Sequence, residues 1–460
     1  MPIDAVLATI DANLDASRER LFDLLRIPSV STDPAYTKEC QRAADWLVGE
    51  LKGLGYDAEK RRTPGHPIVV GHAKAKRKDA PHVLFYGHYD EQPADPLELW
   101  ETGPFEPRLA DGEGTKNIVA RGASDDKGQL MTFLEACRAF EANGGLPCNV
   151  TFLFEGEEET GSPSLPEFLA TYRDELSAPD LALVCDTGMW NAQTPGVTVM
   201  LRGLAQEEVI VHGPSHDLHS GMFGGPVVNP IHVLSKIVGD LHDETGKVAL
   251  PGFYDGVPEL PEDVAKQWRA LEFDEKAFLA SIGLTRPGGE AGRSVLEQIW
   301  ARPTCDLNGI IGGYTGKGSK TVLPAQASAK FSFRLVGTQD PAKIMESFRA
   351  FVRARLPADA KAEFVSHGAS GALQLPFSSE ALKRACRALA EEWGKEAALT
   401  GCGGSIPIVG AFKSELGMDS LMIGFALGDD RIHSPNEKYS FTSYHKGTRS
   451  WARVLAALAA

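Results

Sequence analysis

The sequence predicts an α/β protein whose first domain is interrupted by a second domain of α+β type. In residues 1–203, apolar strands alternate with helices that carry apolar residues at helical spacing. Near-continuous apolar strands, such as 82–87, are typical of a mixed, largely parallel sheet that is covered on both faces. The same pattern of apolar strands and helices resumes near residue 374. In the strands between, apolar and polar residues alternate, as in a sheet with one exposed face. We therefore predict one discontinuous domain, 1–203 and 374–460, and an inserted domain, 204–373.

The predicted elements follow this layout along the chain. Helices are predicted in the first domain over 3–25, 37–54, 128–143 and 163–176, and after the insertion over 378–393 and 442–458. Strands of this domain are predicted over 68–72, 82–88, 117–121, 149–154, 181–185 and 421–425. In the inserted domain we expect strands over 206–212 and 328–336 and helices over 228–243 and 342–356. Residues 245–320 form a long stretch rich in Gly, Pro and charge, to which we assign no helix or strand.

Composition excludes several classes of protein. The chain has 460 residues, too many for one ordinary core, and is 43% hydrophobic and 24% charged. Its formal net charge of -15 argues against a nucleic-acid partner. No stretch approaches the ~18 apolar residues of a membrane span, and the N-terminus shows no signal peptide, so we expect no membrane partner. The seven scattered cysteines form no CxxC motif, which favours reduced thiols and a cytoplasmic location.

Potential metal ligands follow the predicted strands of the first domain. These side chains are His88, Asp90, Asp125, the glutamates of the acidic run 155–159, Asp186 and, much later in the chain, His433. Because the carboxyl ends of parallel strands meet at one edge of a sheet, we expect these groups to converge. A mixed set of imidazoles and carboxylates suits Zn²⁺, Mn²⁺ or Co²⁺ better than Ca²⁺. Five ligand positions fit two metals that share one carboxylate better than a single open zinc site.

Each of these signals is weak when it stands alone. Asp125 or Asp126 could simply N-cap the helix that follows, and the acidic run 157–159 could be an exposed turn. A single histidine after a strand is usually structural. The glycine-rich stretch 309–318 fails the spacing of a phosphate loop, and neither HExxH nor GxSxG occurs. The combination of signals, in this order, favours a metal centre.

These residues resemble the M20 metallopeptidases over essentially the whole chain. The matching motifs are 87–90 (GHYD), 121–128 (RGASDDKG), 155–162 (EGEEETGS), Asp186, 219–221 (HSG) and 433–437 (HSPNE). In the inserted domain, 250–255, 320–324 and 331–336 resemble the carnosinase-type, cytosolic nonspecific dipeptidase branch. The resemblance implies a zinc-exopeptidase-like catalytic domain that is interrupted by an α+β lid and dimerisation domain.

The resemblance also implies roles for the residues of the metal centre. Asp125 would bridge two divalent metals, Zn²⁺ being favoured over Mn²⁺ or Co²⁺. His88 and Asp186 would complete one site, and Glu159 and His433 the other. Glu158 would act as the general base that activates a metal-bridging water.

Two further features of this centre are implied in the same way. Asp90 would orient His88 from behind, the usual position of a carboxylate that supports a ligating imidazole. The Asp125–Asp126 peptide would be cis.

Substrate-binding roles are implied for residues of the inserted domain and of a later loop. His219 would donate to the oxyanion from the other subunit of a homodimer, although His216 is close by and a surface role is the alternative. Arg334, with Gly404 and Ser405 of the GGSIP loop, would hold the C-terminal carboxylate of the substrate, and Thr321 would belong to the lid.

Two observations leave open how the substrate is recognised. A structural ion pair is the alternative for Arg334. Gly401 and Cys402 replace the Arg-Glu that animal carnosinases have before the loop. The resemblance therefore does not define which substrate side chains are preferred beyond the scissile bond.

The expected function is therefore hydrolysis of dipeptides or short peptides with a free C-terminal carboxylate by a cytoplasmic homodimer with two metals per subunit. The alternative within the family is an N-acyl-amino-acid deacylase or amidohydrolase of the desuccinylase type. A non-catalytic binding homologue is a remote alternative, because every ligand position and Glu158 are present.

Overall fold

Two units divide the chain in the computed structural model, which describes residues 3–404 and 406–460. The first unit comprises Met1–Val199, Leu375–Thr400 and Pro407–Ala460, and the second comprises Met200–Gln374 and Gly401–Ile406. The short segment 401–406, which we predicted within the first domain, groups with the second unit. Ser405 lies outside the described residues.

The elements follow one another along the chain in an alternating order. The helices are α1 (Ile3–Ala12), α2 (Leu14–Leu25), α3 (Thr37–Gly53), α4 (Lys127–Ala142), α5 (Leu165–Thr171), α6 (Arg173–Leu176), α7 (Ser220–Phe223), α8 (Pro230–Gly239), α9 (Glu262–Ala270), α10 (Glu275–Ser281), α11 (Val295–Trp300), α12 (Pro341–Arg353), α13 (Glu380–Trp393), α14 (Pro407–Leu416) and α15 (Phe441–Ala459). The strands are β1 (Asp57–Arg61), β2 (Ile68–Ala73), β3 (His82–His88), β4 (Arg108–Asp111), β5 (Lys116–Val119), β6 (Asn149–Glu155), β7 (Leu181–Val184), β8 (Gly196–Leu201), β9 (Gly203–His212), β10 (Leu218–His219), β11 (Thr304–Gly312), β12 (Val322–Leu323), β13 (Gln326–Leu335), β14 (Lys361–Ser370), β15 (Leu373–Gln374), β16 (Ala398–Cys402), β17 (Ser420–Met422) and β18 (Lys438–Ser440).

The main sheet of the first unit is mixed, with its parallel strands in the centre. Its order is β1-β2-β6-β3-β7-β17-β8. Strand β3 pairs in parallel with β6 and β7, and β17 pairs in parallel with β7. Antiparallel pairs close both ends, at β1-β2-β6 and at β17-β8. The predicted α/β class is confirmed, and the apolar runs of β3 and β6 are buried in this central region.

Helix α4 packs against this sheet through an aromatic cluster. The rings of Phe85 on β3 and Phe133 on α4 are stacked with centroids 3.7 Å apart. Trp451 on α15 meets Phe133 edge-on at 5.3 Å. Such aromatic pairs stabilise a core beyond the area that they bury. The cluster holds the N-terminus of α4 beside the carboxyl end of β3, where the candidate ligands lie.

The second unit is built on a four-stranded antiparallel sheet with the order β11-β13-β9-β14. Residues of β9 are alternately buried and half-buried over its whole length. Its buried face packs with side chains of α8 and α12, including Leu234 and Phe348, around one apolar core. The other face of β9 and β13 carries most of their polar side chains, including Arg334. The predicted alternation of these strands is confirmed.

Several predicted elements differ from those observed. The predicted helix 3–25 is two helices, because Asn13 leaves helical geometry with φ -106° and ψ 10°. The stretch 245–320, for which the sequence predicts no helix or strand, contains α9, α10, α11 and β11. These helices have only 9, 7 and 6 residues, too few for a periodic apolar pattern to identify a helix. Among residues 3–404 and 406–460, no helix has both the length and the hydropathy that a bilayer crossing requires.

Candidate metal centre and recognition residues

Two overlapping groups of potential ligands combine residues at or just after the ends of β3, β6 and β7 with Asp125 of the β5–α4 turn and His433 of the loop before β18. One group is His88, Asp125 and Asp186, the other is Asp125, Glu159 and His433, and the ligand atoms within each lie within 4.8 Å of one another. The two oxygens of Asp125 contact different rings, Oδ1 lying 3.0 Å from His88 Nε2 and Oδ2 3.0 Å from His433 Nε2. The structure thus brings together all five predicted ligands in two groups that share Asp125.

The turn that carries Asp125 joins β5 to α4. Gly122 has φ +77°, a conformation that favours glycine. A Cβ atom on Gly128 would lie 1.9 Å from the carbonyl oxygen of Ala123, so only glycine fits this close approach. The Asp125–Asp126 peptide is cis, as the resemblance implies.

Glu437 fixes the same turn from the far end of the chain. Its Oε1 accepts the backbone N–H groups of Ser124 and Asp125 at 2.8 and 3.0 Å. Its Oε2 accepts the backbone N–H of Gly122 at 3.0 Å and Arg121 Nη1 at 2.8 Å. The Glu437 side chain is fully buried, so this carboxylate replaces water as the partner of three main-chain donors.

Asp90 links His88 to the acidic segment. The imidazole Nδ1 of His88 lies 3.1 Å from the carbonyl oxygen of Asp90 and 3.4 Å from its Oδ1. The same carboxylate accepts the backbone N–H of Glu158 at 3.2 Å and of Glu159 at 3.1 Å. Ser31 Oγ donates to its Oδ2 at 2.6 Å. Asp90 therefore positions one candidate ligand, His88, and the backbone of a second, Glu159.

The charges of the group show why it attracts a cation. Although burial alone would raise it, hydrogen bonds from His433 and His88 hold the pKa of Asp125 below its ordinary value. Burial, together with the charge of Asp125, raises the pKa of Asp186 to about 7. Hydrogen bonds to Asp125 and Glu159 raise the pKa of His433 to about 10. These shifts show that the carboxylates of the group favour a positive charge beside them, and divalent cations would satisfy the same group.

Glu158 differs from its neighbours in having a carboxylate with no fixed partner. Among residues 3–404 and 406–460, no hydrogen bond or ion pair to this carboxylate is observed. Burial raises the pKa of Glu158 above the ordinary glutamate value, and the nearby His88 opposes this shift. A carboxylate that is unpaired and has a raised pKa is suited to accept and return a proton.

His219 lies in the second unit, at the end of β10. Its Nδ1 accepts the backbone N–H of Gly221 at 3.0 Å, so the neutral ring carries its proton on Nε2. The side chain is exposed. Thr321 is tied to the same ladder, since its carbonyl oxygen accepts the backbone N–H of Ser220 at 3.0 Å. By contrast, His216 is held by Ser215 Oγ at 2.9 Å from its Nδ1.

Arg334 lies near the carboxyl end of β13, opposite Leu204 of β9 and Thr304 of β11. Within the described part of the chain its guanidinium forms no ion pair, so the alternative of a structural ion pair is not supported. Gly404 lies in the short segment that groups with the same unit, and the predicted role of Ser405 falls outside the described residues.

Two hydrogen-bonding interactions that position the candidate ligands, those of Glu437 and Gln92, could not be predicted from the sequence motifs. Glu437 was part of a matching motif, but its four hydrogen bonds could not be inferred because its partners are 312 to 316 residues away. Gln92, whose Nε2 donates to Glu159 Oε2 at 3.0 Å, follows the GHYD motif by two positions and carried no signal.

Comparison with known proteins gives the family. A family model described as peptidase family M20/M25/M40 matches residues 84–457. The Cys-Gly metallodipeptidase DUG1 of Candida albicans (strain SC5314 / ATCC MYA-2876) is 32% identical over 473 residues, covering 98% of this chain and 96% of that protein. Human Beta-Ala-His dipeptidase is 30% identical over 476 residues, covering 99% of this chain and 93% of that protein.

The fold is also similar to solved structures. The M20 family metallo-carboxypeptidase Sso-CP2 from Sulfolobus solfataricus superposes with a TM-score of 0.78 at 30% identity, covering 96% of this chain and 99% of that one. The resemblance to the M20 family and its dipeptidase branch is thereby confirmed. Since the family model spans most of the chain and the relatives match it almost from end to end, this protein belongs to peptidase family M20/M25/M40.

Proposed function

We propose that this protein is a dinuclear-metal dipeptidase that hydrolyses dipeptides and short peptides with a free C-terminal carboxylate. The observation that carries the proposal is the pair of ligand groups that share Asp125. Their carboxylates and imidazoles are suited to Zn²⁺, and also to Mn²⁺ or Co²⁺. The dipeptidase names of the relatives support this choice of substrate class.

In this proposal His88, Asp125 and Asp186 hold one cation, and Asp125, Glu159 and His433 hold the other. When bound, the cations supply Lewis acidity to the scissile carbonyl and to a water molecule. Asp90 keeps the ring of His88 and the backbone of Glu159 in place, so that their ligand atoms do not need to reorganise on binding.

Glu158 is proposed as the general base. Its free carboxylate accepts a proton from the attacking water and returns that proton to the leaving amine. Its raised pKa brings it closer to the pH at which both transfers are efficient. The hydrogen bond from its backbone N–H to Asp90 Oδ1, 3.2 Å long, keeps the main chain of Glu158 fixed during this exchange.

Recognition of the substrate is assigned to the second unit. Arg334, which has no ion-pair partner within the described residues, would bind the C-terminal carboxylate together with Gly404 and Ser405. Thr321 would act with the lid. His219 would donate its Nε2 proton to the oxyanion, and the hydrogen bond at Nδ1 supports this tautomer.

We further propose a homodimer in which His219 acts across the interface. Strand β11 is at one edge of the four-stranded sheet and offers unpaired backbone groups on its outer side. Its side chains Leu307, Ile310 and Ile311 are 41%, 55% and 57% exposed. Exposed apolar side chains on an edge strand favour association with another copy of the chain.

The proposal is tested by hydrolysis of a substrate panel after removal of metals with a chelator and reloading with Zn²⁺, Mn²⁺ or Co²⁺. The panel contains free dipeptides, a β-Ala dipeptide, C-amidated dipeptides, N-acyl amino acids and succinyl-diaminopimelate. We expect metal-dependent cleavage of free dipeptides and a large loss of rate on amidation. Cleavage of the N-acyl compounds alone would replace the dipeptidase assignment by a deacylase, and no turnover with any metal would contradict catalysis itself.

A further inference from the structure

Arg202 joins three parts of the second unit, namely its own segment after β8, the segment of Cys402 and Gly403, and α11. Its Nε donates to the carbonyl oxygen of Gly403 at 3.0 Å, and its backbone N–H donates to the carbonyl oxygen of Cys402 at 3.2 Å. Its Nη1 lies 3.3 Å from the carbonyl oxygen of Gln298, at α11. Arg202 thus ties α11 to the segment that carries Gly403.

The hydrogen bonds of Arg202 are made to carbonyl groups and leave its charge uncompensated. Within residues 3–404 and 406–460, neither Arg202 nor Arg334 has a carboxylate within 4.0 Å of its guanidinium nitrogens. Asp306 acts on Arg202 only at longer range and is itself held by Thr304 Oγ1 at 2.8 Å. Burial lowers the pKa of Arg202 to about 10, and the positive charge of Arg334 lowers it further.

A neutral hydrogen-bond donor in place of the Arg202 side chain would make the same contacts to these carbonyl oxygens at a lower cost in free energy. Placing two half-buried guanidinium groups near each other is unfavourable unless an anion joins them. Arg202 also presents Nη2 towards the turn, since a methyl group added at Gly403 would lie 3.1 Å from it. No acceptor for Nη2 is found in the described residues, so this nitrogen remains available to an anion.

We propose that Arg202 is a second determinant of carboxylate recognition, which holds the turn at Gly403 and adds its charge to that of Arg334. This inference rests on the proposed dipeptidase function and deepens it. The anion is the free C-terminal carboxylate of the peptide substrate, and the carboxylate of the C-terminal product amino acid has the same chemistry. Arg202 acts partly through Gly403 and is to that extent a positioning residue.

The test compares Arg202→Lys and Arg202→Gln with the metal-loaded wild type on Ala-Leu and its C-terminal amide. For Ala-Leu we expect KM to rise roughly tenfold or more in Arg202→Gln, and less in Arg202→Lys, with kcat changed less than about threefold. For the amide we expect kcat/KM to change less than about twofold, since the group that Arg202 recognises is absent. Inhibition by leucine should weaken in parallel with KM, whereas inhibition by leucinamide should not.

Lys330→Gln is the matched control, because it removes one exposed positive charge from β13 without touching Arg202. We expect wild-type kinetics from it. An equal loss on Ala-Leu and on the amide would show a merely structural role and overturn the inference, as would unchanged KM in both Arg202 variants. Absence of dipeptide hydrolysis by the wild type with every metal would overturn the dipeptidase proposal and the inference together, so the two failures are distinguishable.

Discussion

Glu437 Oε1 lies 3.0 Å from the backbone nitrogen of Asp125, so a buried carboxylate near the end of the chain fixes the ligand that both candidate metal groups share. The same side chain accepts hydrogen bonds from Gly122, Ser124 and Arg121. All its donors belong to one turn, and an anion is therefore needed at this position rather than a neutral amide.

Glu437→Gln is expected to weaken metal binding. In either orientation the amide NH2 of glutamine would face N–H donors of the turn, so Asp125 would lose its fixed position. Loss of such a supporting group typically costs about 10- to 100-fold in metal affinity. Competition with a chromogenic chelator measures this change directly. Glu380→Gln, at an exposed site on α13, is the control, and equal affinity in the two variants would contradict this role of Glu437.

Glu158→Gln is expected to retain both metals and to lose kcat by about 10²- to 10⁴-fold, because only the proton-accepting group is removed. Metal content measured by mass spectrometry, together with steady-state kinetics on a free dipeptide, checks both parts. Glu159→Gln is the matched comparison, since it alters a candidate ligand and should lower metal content. Near wild-type kcat in Glu158→Gln would remove Glu158 from the role of general base.

Mixing of two inactive variants tests whether His219 acts between subunits. His219→Ala and Glu158→Gln should each be inactive alone, whereas a heterodimer has one site with both groups intact. We expect each mixed dimer to have up to about half of the activity of a wild-type dimer. Subunit exchange is verified first with differently tagged chains. A purified heterodimer without activity would mean that His219 acts within its own subunit, whereas an active His219→Ala enzyme would mean that it has no catalytic role.

A buried ion pair next to the turn of Asp125 should make the first unit sensitive to loss of either partner. Lys127 Nζ contacts Glu91 Oε1 and also donates to the carbonyl oxygen of Ile27 at 2.7 Å, and both charged side chains are fully buried. Glu91→Gln should lower the free energy of unfolding by about 3–5 kcal/mol, because it leaves a buried ammonium without its counterion. Urea denaturation measures the change. Asp15→Asn, which breaks an exposed pair with Arg18, should cost less than about 1 kcal/mol, and similar costs for both variants would contradict this difference.

The predicted fold class and the meeting of the ligands followed from local patterns. Buried parallel strands such as β3 have a continuous apolar signal, and His88, Glu159 and Asp186 lie at or just after the ends of three such strands. Asp125 and His433 lie in loops, and the motifs around them identified them. The alternation of apolar and polar residues in β9 and β13 was equally easy to predict, because each strand has one buried face. Such signals depend only on residues that are close together in the chain.

The remaining features depend on contacts between distant segments. Glu437, Arg202 and Gln92 act by hydrogen bonds whose partners the sequence does not identify. The helices between residues 262 and 300 were missed for a different reason, since they are short and two of them have few buried positions. Their stability comes from caps and tertiary packing, which a periodic pattern does not report.

The backbone N–H of Leu375 donates to the carbonyl oxygen of Val199 at 2.8 Å, so the chain re-enters the first unit beside the point where it left. To the first unit, the segment 200–374 is equivalent to a long hairpin loop between two neighbouring strands. Its length adds little to the entropy of closing that loop, because the closure cost grows only with the logarithm of length. Insertions, deletions or whole exchanges within this segment can therefore accumulate during evolution while the sheet that carries the metal ligands stays unchanged.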